Sequence, residues 1–191
     1  MPEVALSPLA GFAPVVDEHC RVLVLGSFPG TASLRAGHYY AHPSNRFWPI
    51  LSVALGEDLT VMAFPERYRR LRAQHIGLWD VIASCRRQGS LDASIRDARP
   101  AGLSSLAADL PVLAHVLTNG STASRLARQA DWPAGVRLQA MPSTSAAYAS
   151  MPADEKCRLW VTAVRQGLGI GAWCKGGRGG SHRSSAKDIE A

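Results

Sequence analysis

The chain has 191 residues, 47% of them hydrophobic and 19% charged, with a formal net charge of +6 and a pI near 9.5. This is enough for one well-buried domain and too little for two ordinary ones, and the apolar fraction excludes a disordered body. The positive balance favours an acidic partner such as nucleic acid, though charge alone speaks only to solubility and nonspecific attraction.

Residues 1–18 are rich in Pro, Ala and Val without a clear period and predict an extended lead-in that packs on the body. Arg21 to Leu25 is an apolar, β-branched run ended by Gly26. A continuous run, rather than an alternating one, suits a central parallel strand covered on both faces. A loop from Ser27 to His42 follows. Pro43-Ser44-Asn45 reads as a helix start, with Ser44 or Asn45 able to cap free N–H groups. Phe47, Ile50, Leu51 and Ala54 then recur at helical spacing, and Gly56 is a stop signal. Pro65 to Gln74 reads as a surface helix with a basic face. Ile76 to Ile82, apolar around Trp79 and Asp80, fits a strand or a buried helix equally well.

Arg86 to Ser94 reads as polar loop and Pro100 to Asp109 as a short helix. Val112 to Leu117 is the second clear strand, ending in Thr118-Asn119-Gly120. Ser121 to Ala130 is helical, with Leu126 and Ala130 turned inward. Gly135 to Ala140 is a third strand and runs into the polar loop Met141-Pro142-Ser143-Thr144-Ser145. Asp154 to Gly167 closes the body as a helix carrying Leu159, Trp160 and Val164. Strands alternating with helices predict a three-layer α/β/α sandwich around a central, mainly parallel sheet. The domain spans residues 1–170; residues 171–191, rich in Gly, Ser and basic groups, read as a flexible tail. In such sheets ligands sit beyond the C-terminal strand ends. The loops after Leu25, Leu117 and Ala140 all leave ends of that kind.

The four cysteines, Cys20, Cys85, Cys157 and Cys174, form no CxxC pair and no Cys/His cluster at zinc spacing, so no metal or other cofactor is expected. No signal peptide and no membrane-spanning run is apparent, and a cytoplasmic monomer with reduced thiols is the expectation.

Common hydrolase templates are absent: there is no GxSxG, no HExxH and no phosphate loop ending in Gly-Lys-Ser. Gly26-Ser27-Phe28-Pro29-Gly30 alone is a tight turn. The residues after it add chemistry. Tyr40 offers a stacking face for a flat ring such as a base, whereas Tyr39 reads as core. His42 beside Pro43 reads as a structural hydrogen-bonding group. Asn45 serves either as a helix cap or as a carboxamide that orients a water molecule without needing a perturbed pKa.

The stretch GSFPGTASLRAGHYYAHPSNRFW resembles the first motif of the uracil-DNA glycosylase superfamily, and most of all its hypoxanthine-DNA (deoxyinosine) glycosylase branch. It is also similar to the mismatch-specific uracil-DNA glycosylases. The resemblance extends through Leu117 to Gly120 and the loop Met141 to Ser145, covering most of residues 20–168. It implies a DNA repair enzyme that flips out a deaminated base, most of all hypoxanthine, from double- or single-stranded DNA. Hydrolysis of the glycosidic bond then leaves an abasic site. The resemblance assigns water positioning to Asn45 and stacking on the flipped base to Tyr40. In mismatch-specific enzymes an Asn in the first motif holds the water, and Phe28 stands there in this chain. The second motif of ordinary uracil enzymes begins with a His, and Met141 stands there.

Within that reading, Gly26 and Gly30 let the backbone approach the base, and the backbones of Ser27, Phe28 and Pro29 edge it. His42 and Asn119 are further base-side candidates. Arg46, with Arg67, Arg69 and Arg70, would hold phosphates. Met141, Pro142, Ser143, Thr144 and Ser145 would grip the DNA backbone, and Tyr148 or Met151 would wedge into the vacated stack or simply pack. No Lys in these loops offers a Schiff-base nucleophile, which implies a monofunctional enzyme. The alternatives are a uracil- or mismatch-directed glycosylase of the same superfamily, a non-catalytic module binding lesions or single strands, and a nucleoside or nucleotide hydrolase.

Overall fold

The computed structural model describes residues 7–171. The short strand β1 (Leu9–Ala10) precedes β2 (Val22–Gly26), whose five residues are all buried. Helices α1 (Thr31–Ala36), α2 (Phe47–Leu55) and α3 (Phe64–Ala73) lead to β3 (Ile76–Asp80). Then come β4 (Ile82–Arg86), β5 (Arg96–Pro100) and α4 (Leu103–Ala108). The order ends with β6 (His115–Asn119), α5 (Ser121–Ala127), β7 (Arg137–Met141) and α6 (Ala153–Leu168).

Strands β3, β2, β6 and β7 form one parallel sheet in that order, with Val22 opposite both Ile76 and His115. The unbroken apolar character of β2 follows from its position, because helices cover both faces. Val22 and Val24 meet Leu51 of α2 and Trp160 and Val164 of α6. Leu23 and Leu25 point the other way, toward Leu103 and Ala107 of α4 and Ala123 and Ala127 of α5. This is the expected three-layer α/β/α arrangement. Helix α2 stops at Gly56, whose φ of 71° a side chain would resist.

The run from Ile76, open in the sequence, is a strand as far as Asp80. The loop expected over 86–94 is present apart from Arg86, which ends β4, and a short 3-10 turn at Asp92–Ser94, whereas Pro100 ends β5 and the helix expected from it starts at Leu103. β4 and β5 pair antiparallel and, with β1, make a second small sheet. All five residues of β5 are exposed, so no apolar alternation marked it as a strand. In α5 the buried positions are Ala123, Ser124 and Ala127, while Leu126 is half-buried. In α6 Trp160 and Val164 are buried as expected, but Leu159 is exposed. Cys174 and the tail expected over 171–191 lie outside the described residues apart from Gly171.

Helix α6 crosses the sheet closely because Gly167 has no side chain. A Cβ there would sit 2.6 Å from Val22 Cγ2 and 3.3 Å from the His115 side chain. Gly167→Ala is therefore expected to lower stability by about 1–3 kcal/mol despite alanine's better helix propensity. Denaturant midpoints of the two proteins check this.

Candidate functional site

The C-terminal ends of the four parallel strands lie along one edge and place Asp80, Gly26, Asn119 and Met141 side by side. The loops leaving these ends enclose a cleft of ≈ 1130 Å³. Its walls include the turn Gly26 to Gly30, Tyr40, His42, Asn45, Asn119 and the loop Met141 to Ser145. The tertiary structure thus brings together three segments that are far apart in sequence.

Asn45 is half-buried at the cleft wall. Its Oδ1 accepts the Phe47 N–H at 3.0 Å, at the start of α2. The side chain is both a helix-end ligand and a cleft residue. A carbonyl oxygen has a second lone pair and the amide carries two N–H donors, so capping does not exhaust its hydrogen-bonding capacity. Arg46 is exposed next to it, and its backbone N–H donates to the Thr144 carbonyl at 3.0 Å. This bond joins the first motif to the loop after β7.

Tyr40 has φ 53°, a left-handed conformation that costs an aromatic residue about 1–2 kcal/mol. Its ring stacks on Phe47, with centroids 3.9 Å apart and planes at 23°. One face of Tyr40 is therefore covered by the core. Its hydroxyl is buried, makes no hydrogen bond of ordinary geometry, and lies toward the Asp80 carboxylate and the Asn119 carboxamide. Burial and the nearby Asp80 push the phenol above its usual range, and Asn119 only partly offsets them. Tyr39 is core, with its ring edge-on to Phe12.

The loop after β7 differs from a simple DNA grip. Thr144 is fully buried. Its Oγ1 accepts from Asn119 Nδ2 at 2.8 Å, and its N–H donates to Asn119 Oδ1 at 2.9 Å. The Thr144 hydroxyl therefore faces inward and does not reach a DNA backbone, and Asn119 is a latch as well as a cleft residue. Met141 is 5% exposed and packs in the core, so it too is removed from the DNA-gripping set. Pro142 accepts from Trp160 Nε1 at 2.8 Å, which ties the loop to α6. Ser143 and Ser145 remain at the cleft. Thr144→Val keeps the shape and removes the Oγ1 acceptor. It is expected to lower stability by about 1–2 kcal/mol, read from thermal unfolding.

The phosphate contacts expected from α3 are not supported by its side chains. Arg67 lies over the rings of Phe64 and Trp48 and donates to the Met62 and Thr60 carbonyls. Arg70 pairs with Glu57 and Arg69 with Glu66. None of the three lines the cleft. Arg125 of α5 and Arg128 just after it, which were not singled out in the sequence, do line it, and both are exposed. Phe28 is buried beneath the Arg87 guanidinium, which in turn donates to the Pro29 carbonyl. His42 is exposed, with Nδ1 2.8 Å from Ser44 Oγ. Tyr148 is exposed at the rim, where buried Lys156 holds its carbonyl at 3.0 Å and lies under its ring.

The most consequential residue that sequence reasoning missed is Asp80. It is 4% exposed, lines the cleft, and its Oδ2 has no hydrogen-bond partner. Burial first, and the charge of Asp92 second, push its carboxyl up to about 7 against the opposing pull of Arg87. Gly26 is required here, because a Cβ on it would overlap the Asp80 carboxylate. No cluster of His, Cys, Asp and Glu able to hold a metal occurs among the described residues.

A wrapped parallel sheet whose C-terminal edge carries a cleft lined by carboxamide, hydroxyl and carboxyl side chains among apolar ones, with basic groups at its rim, suits an enzyme acting on a nucleic acid. A family profile described as the uracil DNA glycosylase superfamily matches residues 13–166, and the chain belongs to that family of DNA glycosylases. Among its relatives is a protein named hypoxanthine DNA glycosylase from Methanosarcina barkeri. It is 43% identical over 110 residues, which cover 58% of this chain and 70% of the relative. A protein of the same name from Methanosarcina acetivorans is 39% identical over 113 residues, covering 59% and 72%. A solution NMR structure of a uracil DNA glycosylase candidate from Methanosarcina acetivorans superposes with a TM-score of 0.73 at 32% identity. That match covers 84% of this chain and 99% of the other. No helix among the described residues is long and apolar enough to cross a membrane.

Proposed function

We propose that this protein is a monofunctional glycosylase that excises hypoxanthine from deoxyinosine in DNA by hydrolysis and leaves an abasic site. The observation that carries this reading is the cleft that joins the Asn45 carboxamide to the Tyr40 ring. The names of the two Methanosarcina relatives support hypoxanthine as the base. A duplex base must be everted to reach such a cleft, at a cost of a few kcal/mol. A wobble pair such as inosine opposite thymine opens more readily, which favours it as substrate. Once everted, the purine lies against Tyr40, whose other face is buttressed by Phe47. Asn45 holds the attacking water near C1′. Fixed dipoles aimed at the charge that develops on sugar and base lower the barrier. Exposed Arg46, Arg125 and Arg128 hold phosphates, together with Ser143 and Ser145. The wall Gly26 to Gly30 and His42 confine the base. The protein acts as a monomer without a cofactor, on double- or single-stranded DNA.

The competing substrate is uracil, which the description of the structural neighbour favours. Oligonucleotides carrying one deoxyinosine, deoxyxanthosine or deoxyuridine decide between them. Release of hypoxanthine at least about tenfold faster than uracil is the expected result, a difference in transition-state binding of about 1.4 kcal/mol. Faster release of uracil would overturn the assignment, and binding without any release would indicate a sensor. DNA affinity is expected to fall steeply between 50 and 200 mM salt, by about 40- to 150-fold for three or four phosphate contacts. Fluorescence anisotropy with labelled duplexes checks this, and a flat salt profile would argue for a free nucleoside as ligand.

A further inference from the structure

Departure of a purine as an anion puts negative charge on the base, and of the two carboxyls among the described cleft-lining residues Asp92 is exposed and bonded to Ser27 whereas Asp80 is buried. Met141, which ends β7 at the opposite edge of the sheet, is apolar and packed in the core. Asp80 sits at the C-terminal end of β3, beside Gly26, with a buried Oδ2 that has no hydrogen-bond partner. An unpartnered carboxylate oxygen at the base of a substrate cleft is costly unless it carries a proton or meets a ligand. We propose that the Asp80 carboxyl acts as the acid for the leaving base, donating its proton to an acceptor on the purine as the glycosidic bond breaks.

The step balances. The C1′–N9 bond breaks and its electron pair stays on the purine. The hydroxyl of water bonds to C1′. The Asp80 proton passes to the purine, and the proton lost by the water restores the carboxyl through solvent. The products are hypoxanthine and an abasic deoxyribose. An ionised Asp80 in the same place would repel the departing anion, so the protonation state decides between help and hindrance.

The groups that face Asp80 are consistent with this role. Tyr39 and Tyr40 approach from the loop before α2, Arg87 from beyond β4, and Asp92 from the turn before β5. Both tyrosines are held neutral well above the physiological range, by burial first. Asp92 is tied to Ser27 by a 2.8 Å hydrogen bond. Burial and Asp92 raise the Asp80 pKa to about 7, so a substantial fraction of the carboxyl keeps its proton at neutral pH.

This inference rests on the glycosylase reading above. The test is the pH dependence of single-turnover excision from a deoxyinosine duplex at saturating enzyme, between pH 6 and 9. For the wild type the rate is expected to fall roughly tenfold per pH unit above about 7. Asp80→Asn, permanently neutral and still a donor, is expected to start lower and vary by less than about threefold over the range. His42→Gln controls for the one histidine that lines the cleft among the described residues and is expected to keep the alkaline fall. A flat wild-type profile, an alkaline fall that persists in Asp80→Asn, or one that disappears in His42→Gln would each overturn the role of Asp80. The wild-type and His42→Gln profiles suffice even where Asp80→Asn does not fold. Absence of any base release by the wild type would instead overturn the glycosylase reading itself.

Discussion

Replacing Asn45 with alanine is expected to reduce hypoxanthine release by about 100- to 1000-fold while changing affinity for a deoxyinosine duplex by less than about threefold. The size follows from the proposed role. A carboxamide that places the attacking water contributes only when bond breaking is under way, so its loss appears in the chemical step and not in binding. One structural effect must be separated from it. Asn45 Oδ1 also accepts the Phe47 N–H, and removing a helix-end acceptor costs about 1 kcal/mol of stability. Asn45→Asp separates the two. It keeps the acceptor for Phe47 and loses the N–H donors, so thermal stability near the wild type is expected to accompany altered excision. Single-turnover rates and anisotropy titrations on both variants provide the check. An alanine variant that excises at the wild-type rate would confine Asn45 to capping.

Asp80→Asn is expected to stabilise the fold at alkaline pH. The folded carboxyl, with a pKa raised from 3.8 to about 7, holds its proton over a range where the unfolded chain has released it. The native state therefore binds more protons between about pH 4 and 7, and wild-type stability falls as pH rises through that window. The rise corresponds to roughly 4 kcal/mol in full above pH 7 and to none below about pH 4. The isosteric amide removes that penalty, so denaturant midpoints of variant and wild type should converge near pH 4 and diverge toward pH 8.5. Equal midpoints at both extremes would mean that Asp80 is ionised without cost in the native protein. A gain in stability together with a loss of activity is the pattern expected of a residue kept strained for chemistry.

Parts of this molecule could be read before any coordinates. The uninterrupted run Val22 to Leu25 requires cover on both faces, and the structure supplies it from α2 and α6 on one side and α4 and α5 on the other. Helix α2 was legible because Phe47, Ile50, Leu51 and Ala54 recur at its period, and all four are buried. The second sheet was not legible. Its strands are short, β5 is wholly exposed, and their pairing is a long-range event that leaves no local period.

The candidate site divides in the same way. Motif chemistry pointed to Tyr40 and Asn45, because an aromatic ring and a carboxamide in a Gly/Pro loop at a strand end are informative by type and place alone. Asp80 was hidden, because the run from Ile76 fitted a helix as well as a strand. Only as the last residue of a parallel strand does that aspartate come to stand beside Gly26, with Asn119 one strand beyond. Thr144 was misassigned for a related reason. A hydroxyl in a polar loop looks available, and only its reciprocal bonds with Asn119, 25 positions away, turn it inward.

The sequence by itself determined the layered α/β architecture, the family and the two residues on which the hydrolytic reading rests, since these depend on local pattern and residue type. Tertiary structure alone decided which polar groups are solvated, which are latched together and which carboxyl is stranded without a partner. Burial and hydrogen bonding between distant strand ends set those properties, and no single segment of the chain contains them.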